Sequence, residues 1–521
     1  MSNETALGID LGTTFSVVAQ VNAAGTPNVL PNAEGSPTTP SVVLFDGSHA
    51  VVGAVAREAL ASEPESVAQL VKRHMGSQWV FDYRGISYRP EHVSSLIVRK
   101  VVQDGQLLAG PTREAAITVP AYFNDSMRLA TKRAGELAGV DVLGLLSEPT
   151  AAAIAFGYEH RPSGTTGAVI DLGGGTFDIT VMDYDGHNLD VRSTGGDAYL
   201  GGANFDKGLF DYFVEQFRDA HGLDINDPDA LTLEEFTHVS QDWLSRAARA
   251  KHDLTVRDRA TVSLQAAGLT HRCEVHADVF ERLIHVLLDE MTEKMIDVVA
   301  AAGLSPKDVG VVLAVGGSTR VPAVRRRILD VFGNLPESSV RPDEAVALGA
   351  SLFAAQRQLE RGGALVMDRD AQAYLERMNV TDVAAHSLGV SVFDTSGDAG
   401  ARGVMAAVLP RNTALPFAGT KSFYTMRANE TRIVVPVLEG EDVDPDLCRR
   451  IGLVTVDGLP AGRPPGQQVE ITMHLDRDGI LQVSARDVAT GALASTTIVH
   501  TNHVAHGVDA ADVAVRELMV V

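Results

Sequence analysis

The chain has 521 residues, enough for three or four domains at roughly 150 residues each, and 45% of them are hydrophobic, ordinary for globular cores. Lys plus Arg number 44 against 67 Asp plus Glu, a formal charge of −23. That excess argues against nucleic acid or an anionic membrane as partner, because both attractions need surplus positive charge. The one dense basic run, Arg325-Arg326-Arg327, reads as a solvated helix face. Cys273 and Cys448 are the only cysteines and lack metal-ligand spacing. They exclude a disulfide framework and a Cys-based zinc site, and they predict a reducing, cytoplasmic compartment. Met1 to Ala6 lacks the basic start of a signal peptide, and no run reaches the ~20 apolar residues of a membrane span.

Along the chain, Gly8-Ile9-Asp10-Leu11-Gly12-Thr13-Thr14-Phe15 reads as an apolar strand ending in Asp and then a Gly/Thr turn. A second strand follows from Ser16 to Val21. The apolar stretches are too short for helices, and the glycines break any helix between them. Ala115 to Val119 is predicted as a buried strand and Ser126 to Ala138 as a helix. The first pattern then returns as Val169-Ile170-Asp171-Leu172-Gly173-Gly174-Gly175-Thr176-Phe177, with its second strand from Asp178 to Met182. Two copies of one strand–turn–strand unit predict two related lobes facing one ligand.

Val279 to Ala302 is predicted as a single helix, since Phe280, Leu283, Ile284, Leu287, Leu288, Met291, Met295 and Val298 share a face and Gly303 supplies a C-cap. Val309 to Val315 reads as a strand that passes through Gly316-Gly317 into a helix near Pro322. The α/β domain is therefore expected over 1–357, with lobes at roughly 1–165 and 166–357. Residues 358–386, polar and containing Gly362-Gly363, read as spacer and interdomain linker. From Ser387 the helical period disappears. Val469, Ile471, Met473 and Leu475 alternate with polar residues, as do Leu481, Val483 and Ala485, and Asp476-Arg477-Asp478-Gly479 makes the turn between them. An all-β sandwich is expected over 387–500, followed by a tail at 501–521 too short for another domain.

A turn rich in Gly and Thr lets backbone N–H groups approach phosphate oxygens without Cβ interference, and its hydroxyls add donors. An Asp closing each preceding strand can hold a hydrated Mg²⁺, which keeps several waters and takes few carboxylates. Asp10 and Asp171 suit that role. Gly316-Gly317-Ser318-Thr319-Arg320 is a third turn of close approach, with room for an adenosine and with Arg320 stacking on its base.

These residues resemble the seventy-kilodalton heat-shock chaperone family, whose ATPase domain belongs to the actin and sugar-kinase superfamily. The likeness is carried by the two hairpins and by Thr118-Val119-Pro120-Ala121-Tyr122-Phe123-Asn124-Asp125, Glu148-Pro149-Thr150-Ala151-Ala152-Ala153 and Leu200-Gly201-Gly202. Gly316 to Pro322, Pro342 to Ala347, Ser387-Leu388-Gly389, Gly403-Val404-Met405 and Asp478 to Ala485 continue it. The resemblance implies a two-lobed actin-like ATPase domain, ATP or ADP with Mg²⁺, and a β-sandwich that binds extended apolar polypeptide.

It also implies roles. Gly12, Thr13, Thr14, Gly173, Gly174, Gly175, Thr176, Gly201 and Gly202 would surround the phosphates, with Asp10 and Asp171 organising Mg²⁺ through water. Lys72 is similar to the family's catalytic lysine, and Glu148 and Asp178 would complete the site. Lys251, His252, Thr255, Gly316, Gly317, Ser318, Arg320 and Asp343 would line the nucleoside pocket. Val390 and Ile433 would line a peptide pocket beneath an arch of Phe393 and Met426, and Pro120, Arg128, Glu148 and Asp382 would relay between domains. A nucleotide-exchange factor is an implied partner.

The chain departs from the family pattern in four ways. His252 replaces a stacking Arg, and Ala248 replaces a Glu near the ribose. The stretch from Lys72 to Pro120 is shorter. The linker Met378-Asn379-Val380-Thr381-Asp382 keeps the Asp without the run of leucines, and Gly144 stands where many members carry an Arg that receives J-domain co-chaperones, which counts against that partner. Residues 501–521, about 30 Å long if wholly helical and interrupted by Gly507, are too short for the family's helical lid. The expected function is an ATP-driven, lidless chaperone. The alternative is a nucleotide-switched module dedicated to one partner, with slow or no turnover, while the β domain argues against a small-molecule kinase.

Overall fold

The computed structural model describes residues 5–60, 62–337, 339–394, 402–497 and 510–521. A first α/β unit has the strand order Asp141–Ser147, Glu114–Val119, Leu7–Asp10, Phe15–Val21, Pro27–Leu30, with Thr39–Pro40 beside Phe15–Val21. Leu7–Asp10 runs parallel to Glu114–Val119 and antiparallel to Phe15–Val21. A second unit repeats the scheme: Ser163–Leu172 is parallel to Val311–Val315 and antiparallel to Phe177–Asp185. Both expected hairpins are therefore present. Leu7, Ile9, Val169 and Ile170 are wholly buried, as befits strands covered on both faces.

The helices Glu148–His160 and Ala345–Glu360 pack against each other between the two sheets. They meet backbone to backbone: a Cβ on Gly349 would stand 1.7 Å from the Ala151 carbonyl oxygen, and one on Gly8 would stand 2.0 Å from the Ser351 nitrogen. Only glycine allows this approach, which draws the Asp10 and Asp171 turns together.

The helix expected over Val279 to Ala302 is two, Ala277–Leu283 and His285–Ala301, interrupted at Ile284. His285 Nδ1 lies 2.8 Å from the Arg282 carbonyl oxygen, the acceptor that the Val286 amide would use in a continuous helix. The apolar face survives the break through Ile284, Leu288, Met291, Met295 and Val298, all buried.

The stretch read as spacer is packed rather than free. Its helix Arg369–Arg377 buries Ala371, Tyr374 and Leu375, and the Tyr374 ring meets Tyr158 edge-on at 5.0 Å beneath the Arg161 guanidinium. The signal was an apolar i, i+3, i+4 spacing inside a polar composition. The linker also docks: Asn379–Thr381 is a parallel edge strand on Asn188–Asp197, and the Asn379 amide donates to the His187 carbonyl at 2.9 Å. Backbone bonds and the buried Met378 hold it there.

Residues 388–394 and 402–497 form two four-stranded sheets around one core, with the Asp476–Gly479 hairpin as expected. That hairpin turn seats on the first unit. The Leu145 amide donates to Asp478 Oδ1 at 3.1 Å, Arg128 Nη1 donates to the Asp478 carbonyl at 3.2 Å, and the Leu481 amide donates to Asp125 Oδ1 at 2.8 Å. A Cβ on Gly144 would lie 3.1 Å from Asp478 Oδ1, so the small residue gives the turn its seat.

Of the expected tail, residues 501–509, Gly507 included, lie outside the described residues. The remainder folds against the first unit as a helix, Ala510–Glu517, and a strand, Met519–Val520, parallel to His49–Val52. No helix among the described residues is long and apolar enough to cross a membrane.

The helix crossing sets a clear expectation. Gly349→Ala should cost about 3 kcal/mol, the upper end of overpacking, because the obstacle is backbone. Gly208→Ala, in a helix where a Cβ meets only ordinary contacts, should stabilise by up to ~1 kcal/mol. Urea melts of the two variants check both signs.

Candidate functional site

Both hairpin turns open on one cavity of about 470 Å³ between the two units. Asp10, Gly12, Thr13 and Thr14 line one side, and Asp171, Gly173, Gly174 and Thr176 the other. Lys72 and Glu148 close one end; Lys251, His252, Thr255, Gly316, Gly317, Ser318, Arg320 and Asp343 surround the rest. The turns interlock, since a Cβ on Gly174 would stand 1.8 Å from Thr14 Oγ1 and one on Gly175 2.7 Å from Thr13 Cγ2. Gly175, Gly201 and Gly202 stand behind this wall. The Gly202 carbonyl accepts from Lys251 Nζ at 3.0 Å, and a Cβ on Gly201 would stand 2.6 Å from the Gly175 backbone.

Lys72, on the short turn Val71–His74, and Glu148, at the start of Glu148–His160, are both buried and ion-paired to each other. Lys72 Nζ lies 5.9 Å from the centre of the Phe123 ring. Asp10 Oδ1 accepts from Thr118 Oγ1 at 3.3 Å and Asp178 Oδ1 from the Tyr122 amide at 3.0 Å. The buried Asp178 Oδ2 has no partner among the described residues. Burial, and then the charge of Glu148, push Asp10 and Asp178 up to about 7. The same two causes, with Asp178 and Asp10 adding to them, hold Asp171 well above the carboxylate range.

Such crowding of carboxyl groups around one lysine favours a cation. No group of three or more candidate ligands stands together among the described residues. A hydrated Mg²⁺ held through its own waters fits the spread of Asp10, Asp171 and Glu148 along the cavity wall, whereas Asp178, expected in the site, is not among the residues that line it.

At the opposite end Lys251 Nζ is 2.8 Å from Asp206 Oδ1, Arg320 is ion-paired to Asp343, and burial and then Lys251 hold the His252 pKa down. Sequence reasoning missed Phe15, Thr38, Pro342 and Val346 in the wall. It also missed Arg57, whose guanidinium lies 5.5 Å from the Phe15 ring centre and whose charge reaches His252. No spacing signals Arg57, which comes from the opposite unit.

The expected peptide groove divides. Val390 is wholly buried in the sandwich core and packs as core instead of lining an open pocket. Ile433 is half-buried, while Phe393 and Met426 are exposed. In the expected relay, Pro120 is buried and its carbonyl accepts from the Phe123 amide at 3.1 Å. Arg128 Nε donates to the Phe123 carbonyl at 3.0 Å while its Nη1 reaches Asp478. Burial raises the Asp382 pKa, and the nearby Arg128 opposes that rise. Asp478, read from sequence only as a turn residue, is the contact that joins Arg128 to the β domain.

An α/β body with paired Asp hairpins and a docked β-sandwich defines the class. The family model described as Hsp70 protein matches residues 6–83 and 78–514. The chain is 37% identical to Chaperone protein DnaK of Deinococcus proteolyticus, over 95% of this chain and 79% of that protein. Identity is 36% to Chaperone protein DnaK of Deinococcus deserti with the same coverage, and 35% to that of Thermotoga neapolitana over 94% and 79%. The chain belongs to the Hsp70 family, and with it to the chaperones built from an actin-like ATPase domain and a β-sandwich.

The buried Asp178 carboxyl predicts a pH signature. Asp178 ordinarily titrates near 3.8 and stands at about 7 in the fold, so the folded state holds the extra proton between those values. Stability therefore falls as pH rises from about 4 to about 7, where the unfolded chain has lost this proton and the fold still holds it, and levels off above 7. Without nucleotide, Asp178→Asn should raise the melting temperature by about 2–4 °C at pH 8 and change it little at pH 4, read by calorimetry.

Proposed function

We propose that this protein is an ATP-dependent chaperone in which Mg²⁺ and ATP or ADP occupy the cavity between the Asp10 and Asp171 hairpins and control capture of extended apolar polypeptide. The two lobes are taken as 1–165 and 166–357, the linker region as 358–386 and the peptide-binding domain as 387–500. The observation that carries the reading is the convergence of both glycine–threonine turns and the buried Lys72–Glu148 pair on one cavity.

Gly12, Thr13, Thr14, Gly173, Gly174 and Thr176 offer donors to phosphate oxygens, with Gly175, Gly201 and Gly202 supporting them from behind. Asp10 and Asp171 hold the waters of Mg²⁺, which when bound neutralises phosphate charge. Lys72, fixed by Glu148, orients the attacking water and offsets charge on the transferred phosphoryl group. Asp178, with its pKa near 7, suits acceptance of a proton from that water. Lys251, His252, Thr255, Gly316, Gly317, Ser318, Arg320 and Asp343 take the nucleoside. Pro120, Arg128 and Asp382 pass the state of the site to the β domain, where Phe393, Met426 and Ile433 meet peptide.

A second reading, a nucleotide switch for one partner with little turnover, is favoured by Gly144, whose place beneath Asp478 presents no side chain to a J-domain. Steady-state ATP hydrolysis with and without an unfolded polypeptide separates the two. Stimulation supports the chaperone, and hydrolysis without response supports the switch.

Lys72→Ala should leave ATP binding intact while lowering kcat at least about a hundredfold. Unchanged turnover would remove Lys72 from the chemistry. His252 offers less stacking surface than arginine, so His252→Arg should tighten ATP binding by roughly threefold or more in calorimetry. Equal or weaker affinity would show that Arg57 already supplies what this departure removes.

A further inference from the structure

The segment 510–521 makes three kinds of contact with the first α/β unit, and none of them is needed by the site described above. Its apolar side, Ala511 and Val515, is buried in that unit's core. Its acidic side chain Asp512 accepts from His92 Nε2 at 2.9 Å and Arg133 Nη2 at 2.5 Å. His92 is wholly buried, and its Nδ1 accepts from the Arg89 amide at 3.0 Å, so Nε2 carries the proton and donates to Asp512. Its backbone extends a sheet: the Met519 and Val521 amides donate to the Ser48 and Ala50 carbonyls, and the Val521 carbonyl accepts from the Val52 amide, each at 3.0 Å. Arg99 Nη1 adds bonds to the carbonyls of Val515 at 2.9 Å and Leu518 at 3.2 Å. A buried histidine, a sheet edge and a core pocket are thus all filled by this one segment.

The position of the segment gives it a consequence. Arg133 belongs to the helix Asp125–Leu137, whose Asp125, Arg128 and Lys132 hold the β domain through Leu481 and Asp478. The β domain follows the docked linker strand Asn379–Thr381, and its chain leads on to the docked segment. It is therefore anchored to the α/β body at both ends, not suspended from one linker.

We propose that residues 510–521 form an intramolecular strap, and that the surface made by His92, Arg99, Arg133 and the edge of His49–Val52 is its docking site. A second tether raises the effective concentration of the β domain at its seat. The strap thereby biases the protein toward the docked arrangement, whichever nucleotide is bound. The inference rests on the proposed function only in taking docking and undocking of the β domain as the motion that matters.

The test places a specific protease site among residues 498–509 of the full chain and dyes on the α/β body and the β domain, and compares docked with undocked populations by single-molecule energy transfer. Cutting should lower the docked-to-undocked ratio at least about threefold without nucleotide, with the strap helix still bound. Asp512→Ala with Val515→Asp, which frees the strap in the uncut chain, should lower it similarly. An unchanged ratio in both proteins overturns the proposal. Because the ratio is read without nucleotide, failure of the ATPase reading would show separately, as absent ATP binding in calorimetry, and would leave this measurement intact.

Discussion

Mutual repulsion among carboxyl groups that share one buried cation governs this molecule. Asp171, Asp178 and Glu148 are buried, Asp10 faces the same cavity, and Lys72 supplies the positive charge among them. A fold gains nothing in stability from such an arrangement, because each desolvated carboxylate is costly unless it is paired. The raised pKa values of Asp10 and Asp178 and the orphaned Asp178 oxygen show that the pairing is incomplete within the chain. The carboxyl groups around Lys72 thus carry more negative charge than the described residues offset, an arrangement that a bound cation would relieve.

Holding those groups close requires backbones that nearly touch. Gly349 against Ala151 and Gly8 against Ser351 pull the two sheets in, and Gly174 against Thr14 lets the two turns mesh. Any side chain at these positions would push the hairpins apart and open the cavity. The glycines therefore act on the site through distance, although Gly8 and Gly349 do not line it.

The β domain is held to this body by different means. Its linker contributes a strand's backbone, and its hairpin turn contributes Asp478, seated where Gly144 leaves space. Backbone bonds are directional but largely indifferent to side-chain identity. A linker whose apolar side chains are only Met378 and Val380 can therefore dock all the same. The segment 510–521 adds a third attachment, on the same helix that bears Arg128.

Much of this was legible in the chain alone. Period-two alternation through Val469 to Leu475 and the repeated Asp-Gly-Thr turns are local patterns, and local patterns dictate strands, hairpins and the chemistry of their turns. What joins distant segments was not legible. Nothing near Arg57 announces His252, nothing near Asp512 announces His92, and Asp478 looks like any turn aspartate until Leu145 and Arg128 close on it. Val390 shows the same limit in reverse: an apolar strand residue reads alike as pocket or as core, and only its burial chose. The break at Ile284 was hidden because the apolar face continues through it while a single side chain, His285, takes the carbonyl. The strands, hairpins, turn chemistry and family were readable from the chain alone, because these depend on neighbours along it. The tertiary structure alone decided which charges meet, how the linker docks and where the last residues lie, because those depend on groups that become neighbours only after the chain has folded.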